Sequence, residues 1–361
     1  MITLGEKLVI ESQTIFFKSA EKMEEVPDES VTLVVTSPPY WSVRDYGSDQ
    51  IGFGQAYNDY ISSLNRVWAE CIRVLQPNGK IAINIQPLPI DRHTSGFGRR
   101  IIKNIMFDIQ KYLQAQGVFL SGMHYWDKAE YVSNVSWGSY PRPTNIASNT
   151  GFEQIFVWVK PGKTRKVDKA AMQKSLLTKE EWRHWAVRCI WDDISPVFKI
   201  NHRGENKFGH SAPFPEDVPY RLIRMHSVRG ETVLDPFLGS GTTLKVCRLT
   251  GRRGIGYEIN SSYKKLIQSR ILDDWKPPRI QSQYKTFGTF DFYQILEIVY
   301  EILGKDPSAK PGLGEVIQVL RKKFPEKITK SWETHLQEEH KRYQIKKRTK
   351  STKSLASYFQ P

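Results

Sequence analysis

The segment Asp235-Pro-Phe-Leu-Gly-Ser-Gly-Thr-Thr243 constrains the fold of this chain more than any other feature. It joins an apolar run to a stretch with helical spacing, and its glycines at 239 and 241 allow the backbone to turn tightly and approach a ligand. The N-terminus of the following helix offers free N–H groups to a carboxylate or a phosphate. The pattern therefore predicts a strand, a glycine turn and a helix of an α/β sheet.

A second predicted strand ends in an acid about 15 residues later, in Gly254-Ile-Gly-Tyr-Glu-Ile259. Glu258 can accept hydrogen bonds from both hydroxyls of a ribose, so the two segments together predict a pocket for an adenosine-like ligand. The turn has neither the GxxxxGK[ST] of a P-loop nor the complete GxGxxG of dinucleotide enzymes, which favours a nucleoside without a long phosphate chain. A β–α turn with purely structural glycines is the alternative.

The other motif with chemical content is Thr36-Ser-Pro-Pro-Tyr40, which closes a β-branched run at 31–37. Its two prolines stiffen the turn and remove two N–H donors, so the carbonyls of Ser37 and Pro38 remain available as acceptors beside the Ser37 hydroxyl. These acceptors suit an –NH₂ group, and Tyr40 adds an aromatic face on which a base taken out of its helix can stack. A Pro-Pro turn that packs its own aromatic side chains is the structural alternative.

Apolar runs and helical spacing alternate over most of the chain, which predicts one parallel sheet interrupted by a basic insertion. The predicted strands are 31–37, 80–85, 119–127, 153–159, 232–234 and 254–257, and the predicted helices are 60–75, 98–116, 215–228, 241–250 and 261–272. Further helices are predicted near 290–304, 312–323 and 331–347.

The charge of the chain indicates its partner. The 361 residues include 53 Lys and Arg against 38 Asp and Glu, a net charge of +15, and such a basic chain most often binds a polyanion such as nucleic acid. Cys71, Cys189 and Cys247 are far apart in the sequence, which predicts neither a disulfide framework nor a zinc site. Without a leader-like or long apolar segment, we expect a cytoplasmic, nucleoid-associated protein with no metal and no membrane partner.

The Ser-Pro-Pro-Tyr and Asp-Pro-Phe-x-Gly-Ser-Gly-Thr-Thr motifs together resemble those of the amino-group DNA methyltransferases that use S-adenosylmethionine (AdoMet). The catalytic motif comes first, as in the β class of that family, which is a permuted order of one Rossmann-like sheet. His210-Ser-Ala-Pro-Phe-Pro215 is similar to the element that helps to cover AdoMet. The resemblance extends over about residues 8–275.

The resemblance implies a role for each motif residue and double-stranded DNA as the substrate. The implied base-holding residues are Ser37, Pro38, Pro39 and Tyr40, and the implied cofactor residues are Asp235, Phe237, Gly239, Ser240, Gly241, Thr242 and Glu258 with Phe214 and Pro215. The implied regions are a catalytic half (1–162), a target-recognition region (163–205), an AdoMet-binding half (206–275), a helical basic appendage (276–350) and a tail (351–361).

The expected chemistry is direct methyl transfer to an exocyclic nitrogen. Acceptors placed out of the amino plane favour a tetrahedral nitrogen with a localised lone pair. Enzymes that methylate a ring carbon are expected to carry a cysteine directly after a proline, and none of the three cysteines of this chain follows a proline. Ser37 in the first catalytic position resembles N4-cytosine enzymes, whereas Asp or Asn is commoner in N6-adenine enzymes. N6-adenine methylation is the second expectation; an RNA methyltransferase and a non-catalytic DNA-binding module are further alternatives.

The end of the chain suggests a separate partner. One helical turn at 352–359 would present Leu355, Tyr358 and Phe359 on a single face. This pattern resembles the PCNA-interacting box of sliding-clamp partners, with Thr352 where that box has Gln, and would be typical of an archaeal or eukaryotic source. Docking of the tail onto the protein's own surface is the alternative.

Overall fold

The computed structural model describes residues 6–41, 50–128, 150–196, 215–278 and 312–323, together with positions 280, 299, 334, 336, 337, 340 and 341. The chain forms two compact units, residues 1–280 and 281–361. Within the described part of the chain, no helix combines the length and the apolar character needed to cross a membrane.

The first unit contains eleven strands within its described residues. These are β1 (Glu6–Ile10), β2 (Gln13–Phe17), β3 (Val31–Thr36), β4 (Leu75–Ile85), β5 (Leu88–Ile90), β6 (Ile101–Lys103), β7 (Phe119–Asp127), β8 (Phe152–Val159), β9 (Ile190–Trp191), β10 (Thr232–Asp235) and β11 (Arg253–Tyr257). Nine of them form one sheet in the order β1-β2-β11-β10-β3-β4-β8-β7-β9, while β5 and β6 form a separate hairpin.

The helices of the described residues flank this sheet or belong to the second unit. They are α1 (Tyr57–Val74), α2 (Ile105–Ala115), α3 (Lys169–Gln173), α4 (Lys179–Glu181), α5 (Asp217–His226), α6 (Thr242–Thr250), α7 (Lys264–Leu272) and, in the second unit, α8 (Leu313–Lys323), with a π-helical turn at Trp182–Val187 and a 3₁₀ turn at Ser261–Tyr263.

The centre of the sheet is the parallel, Rossmann-like arrangement that the sequence predicts. Strands β2, β11, β10, β3 and β4 run parallel, whereas β8 is antiparallel to both β4 and β7. From β3 the chain continues to β4 on one side, and from β10 it continues to β11 on the other. The β3–β10 boundary is therefore the point where the strand order reverses, which is where ligands bind in open α/β sheets.

Strand β3 is buried along its whole length because both faces of the sheet are covered. Val34 packs with α1 and α2 on one face. Leu33 and Val35 point to the other face and pack with α5 and α6, as expected from the alternation of side chains along a strand.

Part of the predicted basic insertion belongs to the sheet. Strand β9 pairs in parallel with β7, and the side chains of Trp185 and Trp191 are buried. The Arg221 guanidinium lies 5.1 Å from the centroid of the Trp191 ring and donates a 2.6 Å hydrogen bond to Asp193. The described part of 163–205 is thus fixed to the sheet by its aromatic residues.

Two hairpins differ from the predicted elements. The β1–β2 hairpin is not among the predicted elements, and β6, which pairs with β5, lies where the sequence predicts the beginning of a helix, so that α2 begins at Ile105 rather than near 98. Helix α8 agrees with the helix predicted at 312–323. Most of 290–304 and 331–347 lies outside the described residues.

Candidate active site

The two sequence motifs leave the sheet side by side. Leu33 and Val34 of β3 pair with Val233 and Leu234 of β10 in parallel register, so residues 37–40 and 236–241 emerge from the same carboxyl edge. Strands β4 and β11 end at this edge as well, and they contribute Gln86 and Glu258 to it.

A buried carboxylate joins the two motifs. The Thr36 hydroxyl donates a 2.6 Å hydrogen bond to Asp235 Oδ1, across 199 positions of sequence. Asp235 also accepts hydrogen bonds from the Thr243 hydroxyl at 2.6 Å and from the Phe237 N–H at 3.1 Å. Burial raises the pKa of this fully buried carboxyl to about 6, while the three donors act in the opposite direction. Asp235 therefore organises both turns from inside the protein.

The glycine turn uses conformations that other residues rarely adopt. Gly239 has φ of 55° and Gly241 has φ of 91°, both in the left-handed region. Gly241 is also the N-cap of α6, and a Cβ there would lie 3.4 Å from the side chains of Ile267 and Ile271. The turn lies between β10 and α6, against α7; the side chains of Ser240 and Thr242 are buried, whereas Phe237 and Gly239 keep part of their surface exposed.

Glu258 lies beside this turn with spare acceptor capacity. One of its carboxylate oxygens accepts a 2.8 Å hydrogen bond from the Gly239 N–H, and the other accepts one of 2.9 Å from the Asn260 N–H. Burial raises the pKa of Glu258 to about 7. A carboxylate has about four acceptor sites, and although the Ile259 backbone also interacts with Glu258, acceptor capacity remains for a ligand hydroxyl such as that of a ribose.

Phe237 of the cofactor turn and the two residues predicted to cover the cofactor, Phe214 and Pro215, are partly described. The ring of Phe237 packs edge-on against Trp68, with centroids 5.9 Å apart. Pro215 is buried, and the next residue, Glu216, forms ion pairs of 3.1 Å with both Lys245 and Arg270. These buried cations anchor the chain where it enters α5. Phe214 lies outside the described residues.

The catalytic turn, residues 37–40, is held by two hydrogen bonds that involve tyrosine hydroxyl groups. The Tyr60 hydroxyl donates a 2.9 Å hydrogen bond to the carbonyl of Pro39, and the Gln86 N–H donates one of 3.3 Å to the Tyr40 hydroxyl. Pro38 is buried, whereas Ser37, Pro39 and Tyr40 keep part of their surface exposed. Hydrogen bonds thus hold Pro39 and Tyr40 in place, and all four residues of the turn except Pro38 remain partly accessible.

A polar network next to Tyr40 was not predicted from the sequence. The Lys128 ammonium contacts Glu153 at 2.6 Å and Gln86 Oε1 at 3.1 Å. The Gln86 amide donates to the carbonyl of Thr150 at 2.8 Å, and Asn84 donates to Glu153. The signal for this network lay in polar residues at the ends of three apolar strands, but their proximity depends on strand order.

Several sequence predictions lie outside the described residues. Besides Phe214, these are the end of the target-recognition region at 197–205 and the tail residues Leu355, Tyr358 and Phe359.

Comparisons with known proteins identify the family of this chain. The family model for N6/N4 methyltransferases, described as DNA methylase, matches residues 31–269, which include both motifs. The chain belongs to this DNA methylase family. It is a methyltransferase of the N4/N6 amino-group type, with the permuted motif order predicted from its sequence.

Individual relatives match over most of their length. The type II methyltransferase M.MjaI of Methanocaldococcus jannaschii is 36% identical over 286 residues, covering 71% of this chain and 90% of the relative. M.MthZI of Methanothermobacter thermautotrophicus is 31% identical over 287 residues, covering 73% and 77%.

Solved structures show the same fold. A putative DNA modification methylase from Thermus thermophilus, crystallised with S-adenosyl-L-methionine, is 32% identical with a TM-score of 0.55, covering 72% of this chain and 94% of that one. The cytosine-N4-specific PvuII DNA methyltransferase has a TM-score of 0.53 at 20% identity, covering 76% and 92%, and supports the fold alone.

Proposed function

We propose that this protein transfers a methyl group from AdoMet to the exocyclic N4 of cytosine in double-stranded DNA. The observation that carries the proposal is the hydrogen bond from Thr36 to Asp235. It holds the acceptors of the Ser-Pro-Pro-Tyr turn and the glycine turn at one edge of the sheet, so that a base and a cofactor can face each other across the β3–β10 boundary.

The AdoMet side of the site is assigned to the glycine turn and Glu258. The left-handed backbone at Gly239 and Gly241 brings the turn close to a ligand, and Glu258 has acceptor capacity for the ribose hydroxyls. Phe237 and Pro215 supply apolar surface beside the turn, and Phe214 is assigned with them from the sequence. When bound, AdoMet would supply an electrophilic methyl group and leave as S-adenosylhomocysteine, and the methylated nitrogen would lose one proton to water.

The base side is assigned to residues 37–40. An exocyclic amino group is a weak nucleophile because its lone pair is delocalised into the ring. The Ser37 hydroxyl and the Pro38 carbonyl accept hydrogen bonds from its N–H groups, which favours a tetrahedral nitrogen with the lone pair directed at the methyl group. Tyr40 stacks on the extruded base and excludes water from one of its faces.

Cytosine is proposed over adenine because serine stands at the first catalytic position. The test is mass spectrometry of nucleosides from DNA incubated with the protein and AdoMet. We expect N4-methylcytosine. If N6-methyladenine forms instead, the assigned site stands but its target base is adenine. Formation of 5-methylcytosine alone, or of no methylated nucleoside from any DNA, would contradict the proposed chemistry.

Two substitutions, one on each side of the site, distinguish the role of the base side from that of the AdoMet side. Ser37→Ala removes an acceptor for the amino group and should lower kcat with little effect on AdoMet affinity. Glu258→Ala removes the ribose acceptor and should mainly weaken AdoMet binding. Equal losses of AdoMet affinity in both variants would contradict this division of roles.

Target recognition is proposed for region 163–205. In its described part, the buried Trp185 and Trp191 fix the region to β7 and α5, and exposed residues such as Trp182 at the beginning of the π-helical turn are assigned to DNA contact. Methylome sequencing of a host that expresses the protein identifies the site. Substituting Trp182 should then change which sites are methylated; an unchanged methylome would contradict the assignment.

A further inference from the structure

The β5–β6 hairpin leaves the sheet beside the catalytic turn. Its first strand, β5, begins three residues after β4 ends at the carboxyl edge of the sheet. Gln86, which lies between β4 and β5, donates its backbone N–H to the Tyr40 hydroxyl. Its second strand is tied to the same turn by a different route. The Lys103 ammonium lies 3.5 Å from the centroid of the Tyr57 ring, and Tyr57 packs edge-on against Trp41. Both strands of the hairpin are therefore fixed at the proposed base-binding site.

The loop of this hairpin, residues 91–100, is strongly basic. The hairpin 88–103 contains four Lys and Arg residues and a single acid, Asp91. Arg92, Arg99 and Arg100 are exposed. The Asp91 carboxylate accepts hydrogen bonds from the N–H groups of His93 and Thr94 and from the Thr94 hydroxyl, so it stabilises the loop's own turn. The loop thus presents a cluster of positive charge, which fits a phosphate backbone.

An aromatic side chain stands at the tip of the loop. Phe97 is 75% exposed, the most exposed large apolar side chain among the described residues. It lies between Gly96 and Gly98, which have φ of 73° and 64°, and a Cβ added at either glycine would have no neighbour within 4 Å. A phenylalanine in open space between two glycines does not serve the packing of this protein, and its aromatic face is available to a partner beside the basic residues of the loop.

The loop is ordered before any partner binds. Ser95 Oγ donates a 2.7 Å hydrogen bond to the carbonyl of Arg99 and accepts one of 3.2 Å from the Phe97 N–H. These bonds close the loop across its tip. Because its backbone is already arranged, little conformational entropy is lost when the loop binds.

We infer that the β5–β6 hairpin is a second DNA-contact element, with its arginines on phosphates and Phe97 inserted into the base stack next to the extruded target base. This inference rests on the proposed function, since it takes duplex DNA as the partner. Apolar side chains inserted between base steps partly unstack them, and filling the gap left by an extruded base lowers the free energy of extrusion. The hairpin lies outside the target-recognition region at 163–205.

The phosphate contacts are tested by the salt dependence of binding to a duplex of random sequence, with full-length protein. The double variant Arg92→Ala/Arg99→Ala should reduce the slope of log K against log salt by about two. The matched control is Lys22→Ala/Arg253→Ala, whose exposed cations lie between β2 and β3 and at the beginning of β11, and it should keep the wild-type slope. Equal slopes in the two double variants would overturn the inference.

The role of Phe97 is tested by methyl transfer to two versions of one methylated site. On a normally paired duplex, Phe97→Ala should lower kcat about tenfold, and on a duplex with the target base mispaired the loss should shrink to about twofold, because a mispaired base is easier to extrude. Phe119→Ala, an equivalent change at the exposed beginning of β7, should have no effect on either.

The outcomes separate the two proposals. Suppose that the wild type methylates DNA and that Phe97→Ala lowers kcat equally on both duplexes, or on neither. Then Phe97 does not insert into the base stack, and the methyltransferase assignment stands. If the wild type methylates no DNA, the proposed function fails first. Unchanged AdoMet affinity in every variant confirms that the cofactor site is intact.

Discussion

The hydrogen bond between Thr36 and Asp235 can be removed almost without changing volume. Thr36→Val deletes one of the three donors to a buried carboxylate, and a hydrogen bond to a charged group contributes about 1.5–3 kcal/mol. Thr243→Val is a matched control, since its hydroxyl donates to the other oxygen of Asp235 at the same 2.6 Å. We expect both variants to lower the melting temperature by several degrees.

Function should distinguish the two variants even though stability does not. Thr36 precedes Ser37, so losing its bond releases the catalytic turn from the cofactor turn, and a displacement of about 1 Å there can lower the rate about a hundredfold. Thr243 lies in the first turn of α6 and should affect AdoMet affinity instead. Single-turnover methylation and calorimetry with AdoMet measure the two effects, and Thr36→Ser, which keeps the donor, should retain the rate.

The result that would refute this reasoning is specific. If Thr36→Val and Thr243→Val lose the same fraction of kcat, or if Thr36→Val loses AdoMet affinity and keeps its rate, then Asp235 does not couple the two turns. A drop in melting temperature alone would not rescue the coupling, because both variants are expected to show it.

Three further predictions concern single groups. Burial raises the pKa of Glu258 to about 7, and only the ionised carboxyl accepts hydrogen bonds from the ribose hydroxyls. AdoMet affinity should therefore rise between about pH 6 and pH 8 in the wild type but not in Glu258→Gln. Parallel pH profiles of affinity in the two proteins, measured by calorimetry, would count against the ribose contact. Tyr40→Phe keeps the stacking face and should retain most of kcat, whereas Tyr40→Ala should lose about tenfold or more, and equal losses would make the hydroxyl the important group. A chain ended at Lys350 should lose calorimetric binding to a cognate sliding clamp, and indistinguishable binding of the full chain would discard the clamp-binding tail.

The sequence predicts those elements whose burial is encoded locally. The run at 31–37 is rich in β-branched residues because β3 is covered on both faces, and the helical spacing of Tyr60, Leu64 and Val67 matches the buried face of α1, although Ala69 of the same pattern is exposed. The two motifs and their residues could be predicted for the same reason, since turns need prolines and left-handed glycines at fixed positions.

Elements that depend on a partner strand could not be predicted. The β1–β2 hairpin turns at Glu11, which has φ of 52°, without the glycine or asparagine that usually marks such a turn. Strands β5 and β6 are three residues long and exist because they pair with each other.

The same limit applies to the site. The Thr36–Asp235 contact and the network of Gln86, Lys128 and Glu153 arise from strands that are distant in sequence. Their proximity follows from strand order, which no local pattern contains.

The most direct measurement is a crystal structure of the full chain with bound AdoMet. We expect the adenosine ribose on Glu258 and the sulfonium methyl group directed across the β3–β10 boundary, into the space between Ser37 and Tyr40. AdoMet bound elsewhere on the protein, or with its methyl group directed away from the Ser-Pro-Pro-Tyr turn, would contradict a single methyl-transfer site built from the two motifs.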